Sequence, residues 1–481
     1  MVAKQTKRIV IEPVTRVEGH GKVSILLDEE NRVTQARLHI VEFRGFERFI
    51  QGRPYWEVPV LVQRLCGICP VSHHLCAAKA MDQIVGAERL TPTAEKVRRL
   101  MHYGQILQSH ALHFFHLAAP DLLFGFDSDV STRNVFGVAA RYPDLARQGI
   151  LLRRFGQEVI RATAGKRIHG IGAVPGGVNQ NLSPAHRDAL RGEMDRILEW
   201  ARAAVRLAAE YTTTHLDSLA SFGSFESNHL SLVQASGAME LYDGLLRAVN
   251  ARGEVIFDQV PARSYTDHIA EEVRPWSYMK FPFIKPLGPE EGWYRVGPLA
   301  RINTCDSIDT PEAEAARQQF MKLTDGKPNN NTMAYHWARM IELLHAAEKI
   351  NQLLHDPDLQ GTELMVRGAR REEAVAILEA PRGTLFHHYR VDQYDQVTMA
   401  NLIVSTTSNN EPMNRAVQQV AATYLSGRPE ITEGLLNHVE VAIRAYDPCL
   451  SCATHALGQM PLVVELFDCQ GQLVDRKQRG G

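Results

Sequence analysis

The spacing of apolar positions changes several times along the chain, and each change predicts an element. From residue 8 to 40 the period is two. Val23-Ser-Ile25-Leu-Leu27 and Val33 to Ile40 alternate on either side of the turn signal Asp28-Glu-Glu-Asn31, which predicts β structure. After residue 73 the pattern turns helical. Thr91-Pro92 supplies a cap and a first-turn proline for a long segment to about Phe126, where His110, His113 and His116 recur along one side. Residues 165–179 are glycine-rich, and Pro175-Gly-Gly predicts a turn with close backbone approach. Ser183-Pro184 opens another long amphipathic helix to about Phe222. The stretch 223–305 is mixed, with Glu254-Val-Ile-Phe257 β-like. Thr310-Pro311 opens a short helix, and 332–355 has the 3.6 period of a longer one. Ala374 to Leu378 predicts a buried strand, followed by a strand at 384–391, a polar loop from Ser405 to Asn410 and a helix at about 431–445. Leu462 to Leu466 and Leu473-Val474 flank Gln470-Gly471 as a hairpin, and the tip from Arg476 to Gly481 reads as disordered. No repeat, linker or low-complexity tract divides the chain.

Composition narrows the function classes. Among 481 residues, 44% are hydrophobic and 22% charged, ordinary for a globular protein. A net charge of -2 provides no global field for nucleic acid or a membrane surface. No apolar run reaches transmembrane length, and the basic N-terminus lacks the apolar stretch of a secretory signal. Seven cysteines, an odd and scattered set, fit a reducing compartment better than a disulfide framework.

Four of those cysteines form two matched motifs at opposite ends of the chain, Cys66-Gly-Ile-Cys69 and Cys449-Leu-Ser-Cys452, each trailed by a histidine, His73 and His455. Two thiolates at this spacing can reach one metal from a single turn, and four make a soft site for zinc, nickel, copper or iron. A structural zinc, a redox pair, an iron–sulfur cluster and a catalytic transition metal all fit the spacing alone. The glycine-rich stretches match neither a phosphate loop nor a dinucleotide fingerprint. For the helical histidines, packed or hydrogen-bonded side chains are the plainer reading.

Longer blocks decide among these. Arg64-Leu-Cys66-Gly67-Ile-Cys69-Pro-Val-Ser-His73 resembles the first signature of [NiFe]-hydrogenase large subunits, and Asp447-Pro448-Cys449-Leu-Ser-Cys452-Ala-Thr-His455 resembles the second. Arg16-Val-Glu18-Gly-His20, Arg44-Gly-Phe-Glu47, Pro175-Gly-Gly, Val296-Gly-Pro-Leu-Ala-Arg301 and Ala380-Pro-Arg382-Gly look like further blocks of that family, in family order. The chain looks most like the large subunit of cytoplasmic, bidirectional NAD-reducing enzymes. A methyl-viologen-type or deazaflavin-reducing relative is the alternative within the family. A structural zinc protein and a non-catalytic scaffold of the respiratory complex I type are the alternatives outside it.

The resemblance implies one large, mainly α domain with smaller β elements (α+β) over residues 1–455, and a propeptide, 456–481, that an endopeptidase removes after His455. It implies nickel on Cys66, Cys69, Cys449 and Cys452, with Cys69 and Cys452 bridging to an iron that carries carbon monoxide and cyanide. Glu18 would take the proton from Cys449. Arg382 would stand beside the diatomic ligands, with Pro381 and Ser405 or Thr406 completing their surroundings. His73 would hydrogen-bond near the iron-bound sulfur. Glu47, His455 and a carbonyl near Leu402 would hold Mg2+ (or Fe2+). Ser109 stands where many relatives carry an aspartate that meets the arginine. Glu18 could instead pair with Arg16. Three scattered cysteines cannot form an electron relay, so the implied partners are an iron–sulfur small subunit and a flavin-containing diaphorase that binds NAD.

Overall fold

Val23, Ile25 and Leu27 point to one side of their strand and are buried, as their alternation requires. They belong to an antiparallel sheet of β1 (Lys7–Ile11), β2 (Gly21–Leu27) and β3 (Val33–Ile40). Asp28 closes the β2–β3 turn by accepting from the amides of Glu30 and Arg32. The computed structural model describes residues 7–454 together with the strands Leu462–Phe467 and Leu473–Arg479.

Two further antiparallel sheets follow. β4 (Asn228–Val233), β5 (Leu245–Val249) and β6 (Val255–Val260) form one, with the short strand Tyr294–Arg295 parallel to β4. β7 (Glu373–Ala380), β8 (Gly383–Val391) and β9 (Val397–Ile403) form the other. The tight β7–β8 turn presents Pro381 and Arg382. At the end of the chain β10 (Leu462–Phe467) pairs antiparallel with β11 (Leu473–Arg479).

Helices supply most of the core. α1 (Phe46–Phe49) is short. α2 (Pro70–Ile84) lies against β7 and β8, where the Cys76 thiol donates to the carbonyls of Ala376 and Leu385. α3 (Pro92–Leu112) packs on α4 (Pro143–Ala164) and on α7 (Ala334–Leu354). α3 and α4 touch backbone to backbone, since a Cβ on Gly156 would stand 2.6 Å from the Gly104 carbonyl oxygen. α5 (Pro184–Arg191), α6 (Met194–Thr214), α8 (Asn410–Leu425) and α9 (Glu433–Ala445) are further helices, beside shorter ones such as Pro298–Thr304 and Pro311–Met321. The mainly helical α+β unit expected from the sequence is the fold observed.

Four differences from the sequence reading have physical causes. α4 was not anticipated, although Pro143 in its first turn and Gly165 (φ 80°) at its end mark both limits. The helix expected to reach Phe222 breaks at Gly192-Glu193, so Ser183 caps only α5, accepting from the His186 amide. The polar run Ser405 to Asn410 is not a loop. It forms the short helix Ser405–Ser408 and the start of α8, and it is buried because its side chains bond to other backbone: Asn409 accepts from the Val296 amide and Asn410 donates to the Met279 carbonyl. The tip expected to be disordered continues β11 to Arg479.

Candidate metal centre

The first cysteine motif sits where a 3-10 turn, Val62–Leu65, gives way to α2. Cys66 is extended, and Cys69 is the residue immediately before Pro70 opens the helix. The Cys66 sulfur accepts hydrogen bonds from the backbone amides of Ile68 and Cys69, both at 3.2 Å. The carbonyl of Ile68 is fixed from the other side by Gln105 and Gln108 of α3, at 2.9 and 2.7 Å.

The second motif arrives from α9. Asp447 takes a left-handed backbone (φ 54°), and a 3-10 turn follows at Leu450–Cys452. The N-terminal segment docks on it directly. Glu18 and Cys449 form a parallel β-bridge, and the Leu450 amide donates to the Glu18 carbonyl at 2.9 Å. Gly19 permits this approach, for a Cβ there would lie 2.7 Å from the Ser451 amide nitrogen, and its φ is 83°.

The two motifs bring four buried sulfurs together, all within 4.8 Å of one another. Cys66 Sγ lies 3.3 Å from Cys449 Sγ and Cys69 Sγ 3.8 Å from Cys452 Sγ, and no disulfide forms. Sulfurs bound to one metal at about 2.3 Å are separated by comparable distances. Their environments differ. Burial opposes ionisation of Cys66, but hydrogen bonds from Cys449, Cys452 and Cys69 and the nearby Arg382 charge hold its thiol well below the ordinary value. Burial pushes Cys449 and Cys452 well above it.

The Cys449 thiol is 3.0 Å from Glu18 Oε2. The same carboxylate accepts from the Ser451 amide at 3.2 Å and from the Ser451 hydroxyl. Arg16 does not compete for it, because its guanidinium pairs with Asp121 at 2.6 Å. Ser451 escaped the sequence reading, although it lies inside the second motif.

Arg382 is buried beside the sulfurs. Its Nη2 donates to Asp447 Oδ1 at 2.9 Å, its Nε to the Asp447 carbonyl, and its Nη1 to Ser109 Oγ at 3.4 Å. The carboxylate partner therefore comes from the second motif rather than from position 109. Pro381, Arg382, His73 and Ser405 join Cys69, Cys449 and Cys452 around one small pocket. Thr406 Oγ1 accepts from the Cys449 amide at 3.0 Å. His73 Nδ1 lies 3.3 Å from His387 Nε2, and burial lowers its pKa to about 4, so the ring is neutral.

Glu47 is buried and accepts from the Leu402 amide at 2.8 Å; Leu402 lies in β9, opposite His387. His455 lies outside the described residues. The chain just before it is held near α1 by bonds from the Arg44 and Gly45 amides to the Thr454 carbonyl. The helical histidines are hydrogen-bonded within the core: His102 to the Leu241 carbonyl, His110 to Glu342 and His113 to the Arg444 carbonyl. His169, also missed in the sequence, bonds the Cys66 carbonyl at 3.0 Å and Arg64 at 2.9 Å.

The sequence profile described as nickel-dependent hydrogenase matches residues 44–124 and 250–455, and one described as HoxL-like matches residues 8–43. The chain belongs to the nickel-dependent hydrogenase family. As a member of that family it is 50% identical over 490 residues to the NAD-reducing hydrogenase HoxS subunit beta of Cupriavidus necator, covering 98% of this chain and 100% of the relative. It is 43% identical to an F420-non-reducing hydrogenase chain of Methanothermobacter marburgensis, over 98% and 99% of the two sequences. Among solved structures, an NAD+-reducing [NiFe]-hydrogenase in the H2-reduced state superposes with a TM-score of 0.92 at 58% identity, covering 94% of this hydrogenase chain and 100% of the other. A [NiFeSe]-hydrogenase from Dm. baculatum shares the fold at a TM-score of 0.75 and 23% identity.

Proposed function

We propose that this chain is the catalytic large subunit of an NAD-linked [NiFe]-hydrogenase that interconverts H2 with protons and electrons. The observation that carries the reading is the convergence of four buried cysteine sulfurs with one, Cys449, in contact with a carboxylate, Glu18. The donor set fits the group. Four soft sulfurs suit nickel, and the Cys69–Cys452 edge faces the cavity where a second metal with small ligands would stand. Bound there, a nickel–iron centre supplies Lewis-acid polarisation of H2 and its heterolytic splitting.

The chain's own residues handle the proton and the surroundings. Cys66, Cys69, Cys449 and Cys452 hold the metals. Cys449 passes its thiol proton to Glu18 Oε2, and the half-buried Glu18, fixed by Ser451, carries it toward solvent. Arg382, locked by Asp447, lines the pocket, where its guanidinium would meet cyanide nitrogen. Pro381, Ser405 and Thr406 shape that wall, and His73 stays neutral beside it. Glu47, a backbone carbonyl near Leu402 and His455 would hold Mg2+ (or Fe2+).

Electrons leave through an iron–sulfur small subunit to a diaphorase that reduces NAD+. The higher identity to the NAD-reducing relative than to the F420-non-reducing one favours this acceptor. No helix among the described residues is long and apolar enough to cross a membrane, in line with a cytoplasmic complex. The family profile stops at residue 455, which supports removal of 456–481 as a propeptide.

The test is metal analysis of the purified complex with H2-dependent NAD+ reduction. About one nickel per chain together with iron is expected. Zinc alone rejects the reading. Active protein with an intact mass extending beyond His455 rejects the processing step.

A further inference from the structure

Six arginines are among the largest fully buried side chains, and one of them has neither a counter-ion nor a full set of acceptors. Arg98 pairs with Asp82, Arg301 with Glu342 and Glu379, Arg382 with Asp447, and Arg444 with Asp121. Arg295 lacks a carboxylate but finds acceptors for Nε, Nη1 and Nη2 and lies over the Phe225 ring. Arg339, on α7, forms no ion pair among the described residues. Its Nη2 donates to the Ala445 carbonyl at 2.9 Å, its Nη1 makes a long bond of 3.4 Å to the Tyr335 carbonyl, and its Nε is buried with no partner.

The negative charges that act most on Arg339 are those of Asp447 and Glu342. Glu342 is already engaged: Arg301 and His110 occupy both of its oxygens. Asp447 gives one oxygen, Oδ1, to Arg382, and its other, Oδ2, is buried without a partner. An unused acceptor is thus left on Asp447, the residue that locks Arg382, and an unused donor on Arg339, which bonds the Ala445 carbonyl two residues before it. A buried cation in this state is costly. The burden shows in Arg339 itself, whose pKa burial lowers to about 10. In the metal-free protein, two backbone carbonyls and the fields of Asp447 and Glu342 offset that cost only in part. Four thiolates gathered on a metal centre would add to that compensation, because they bring negative charge beside Arg382, the partner of Asp447.

We propose that Arg339 is a second fixed counter-charge for the loaded thiolate centre, acting through Asp447 on Arg382. The inference rests on the metal-centre reading above. Arg339 is a positioning residue, for it reaches the cavity only through its neighbour. The rival role is local: Arg339 could balance the two carboxylates around Arg301. Geometry weakens the rival, because the oxygens of both carboxylates are already bonded to Arg301, His110, Thr384 and the Leu232 amide.

The two roles differ in sign. Replacing Arg339→Met in the full-length chain removes an only partly compensated charge from the metal-free protein and a compensating one from the loaded protein. The expected result is a thermal midpoint about 2 °C higher for the metal-free variant and lower by at least as much for the loaded complex. Nickel loss to a chelator should become about tenfold faster. Arg339→Lys, which keeps the charge, should restore most of the loaded-state midpoint. A midpoint that falls equally in both states, or a metal-free variant that fails to fold, overturns the proposal in favour of a purely structural arginine. A parent protein without nickel and iron would instead reject the metal-centre reading.

Discussion

The two cysteine motifs have the same spacing but opposite settings. Cys66 lies at the entry to a 15-residue helix and receives two backbone amides, so this one sulfur of the first half is arranged to hold negative charge, whereas the Cys69 thiol is raised. Cys449 and Cys452 sit in a single 3-10 turn, where burial favours the protonated thiol and the polar contact offered to Cys449 is a carboxylate. On the proposed function, the first half would serve as an anchor and the second as a proton-handling arm. Sequence-identical spacing therefore says little about role. The role comes from whichever backbone amides or side chains the rest of the fold brings up.

This contrast can be broken experimentally. Cys66→Ser should abolish nickel retention together with activity, measured by metal content. Retention of nickel would contradict the anchoring role. Glu18→Gln should leave nickel in place and reduce H2 oxidation by about 10²–10⁴-fold, the range for a lost proton-transfer group. Metal analysis beside an H2/D2O exchange assay separates these two failures. Acid should weaken the anchor. His74 of α2 bridges the Pro59 carbonyl and the Ala173 amide, and burial lowers its pKa to about 4. Its stabilising effect is complete above the unfolded value of 6.5. It is lost as pH falls through 4, an effect of about 3 kcal/mol. Urea unfolding of the metal-free chain at pH 7 and pH 4, compared with His74→Asn, measures it: the variant should show a smaller difference, while the other buried histidines keep the rest. The smallest effect belongs to Ser451→Ala, which frees one edge of Glu18. A loss of about 1 kcal/mol in stability is expected. A shift in the pH profile of H2 oxidation would confirm that the serine tunes the carboxylate.

Much of the site was legible in the sequence because its chemistry is carried by short, contiguous blocks. The four cysteines, Glu18 and Arg382 stand in such blocks, and the fold gathers them around one small cavity or in contact with its sulfurs. What the blocks could not convey are pairings between distant segments. Arg382 meets Asp447 across 65 positions and Ser109 across 273. Arg339 gives no local sign of being unpaired, since on a helix rich in buried residues it reads as one more solvated charge. The run Ser405 to Asn410 misled for the same reason. Its polarity signals exposure, and only the backbone groups that it satisfies at 279 and 296 explain its burial. The omission of α4 is different, because its limits were written locally in Pro143 and Gly165 and the apolar period was available.

The β-bridge between Glu18 and Cys449 also sets a schedule. Its partners are separated by 431 positions, and the Cys66–Cys449 pair by 383. A ribosome must release nearly the whole polypeptide before the arm can reach the anchor. During synthesis the first two cysteines are therefore exposed as a half-site, able to hold a metal with two ligands but not with four. Completion of the sulfur quartet thus reports that the last helix has been made and docked, and any delivery of the finished centre has to wait for that event.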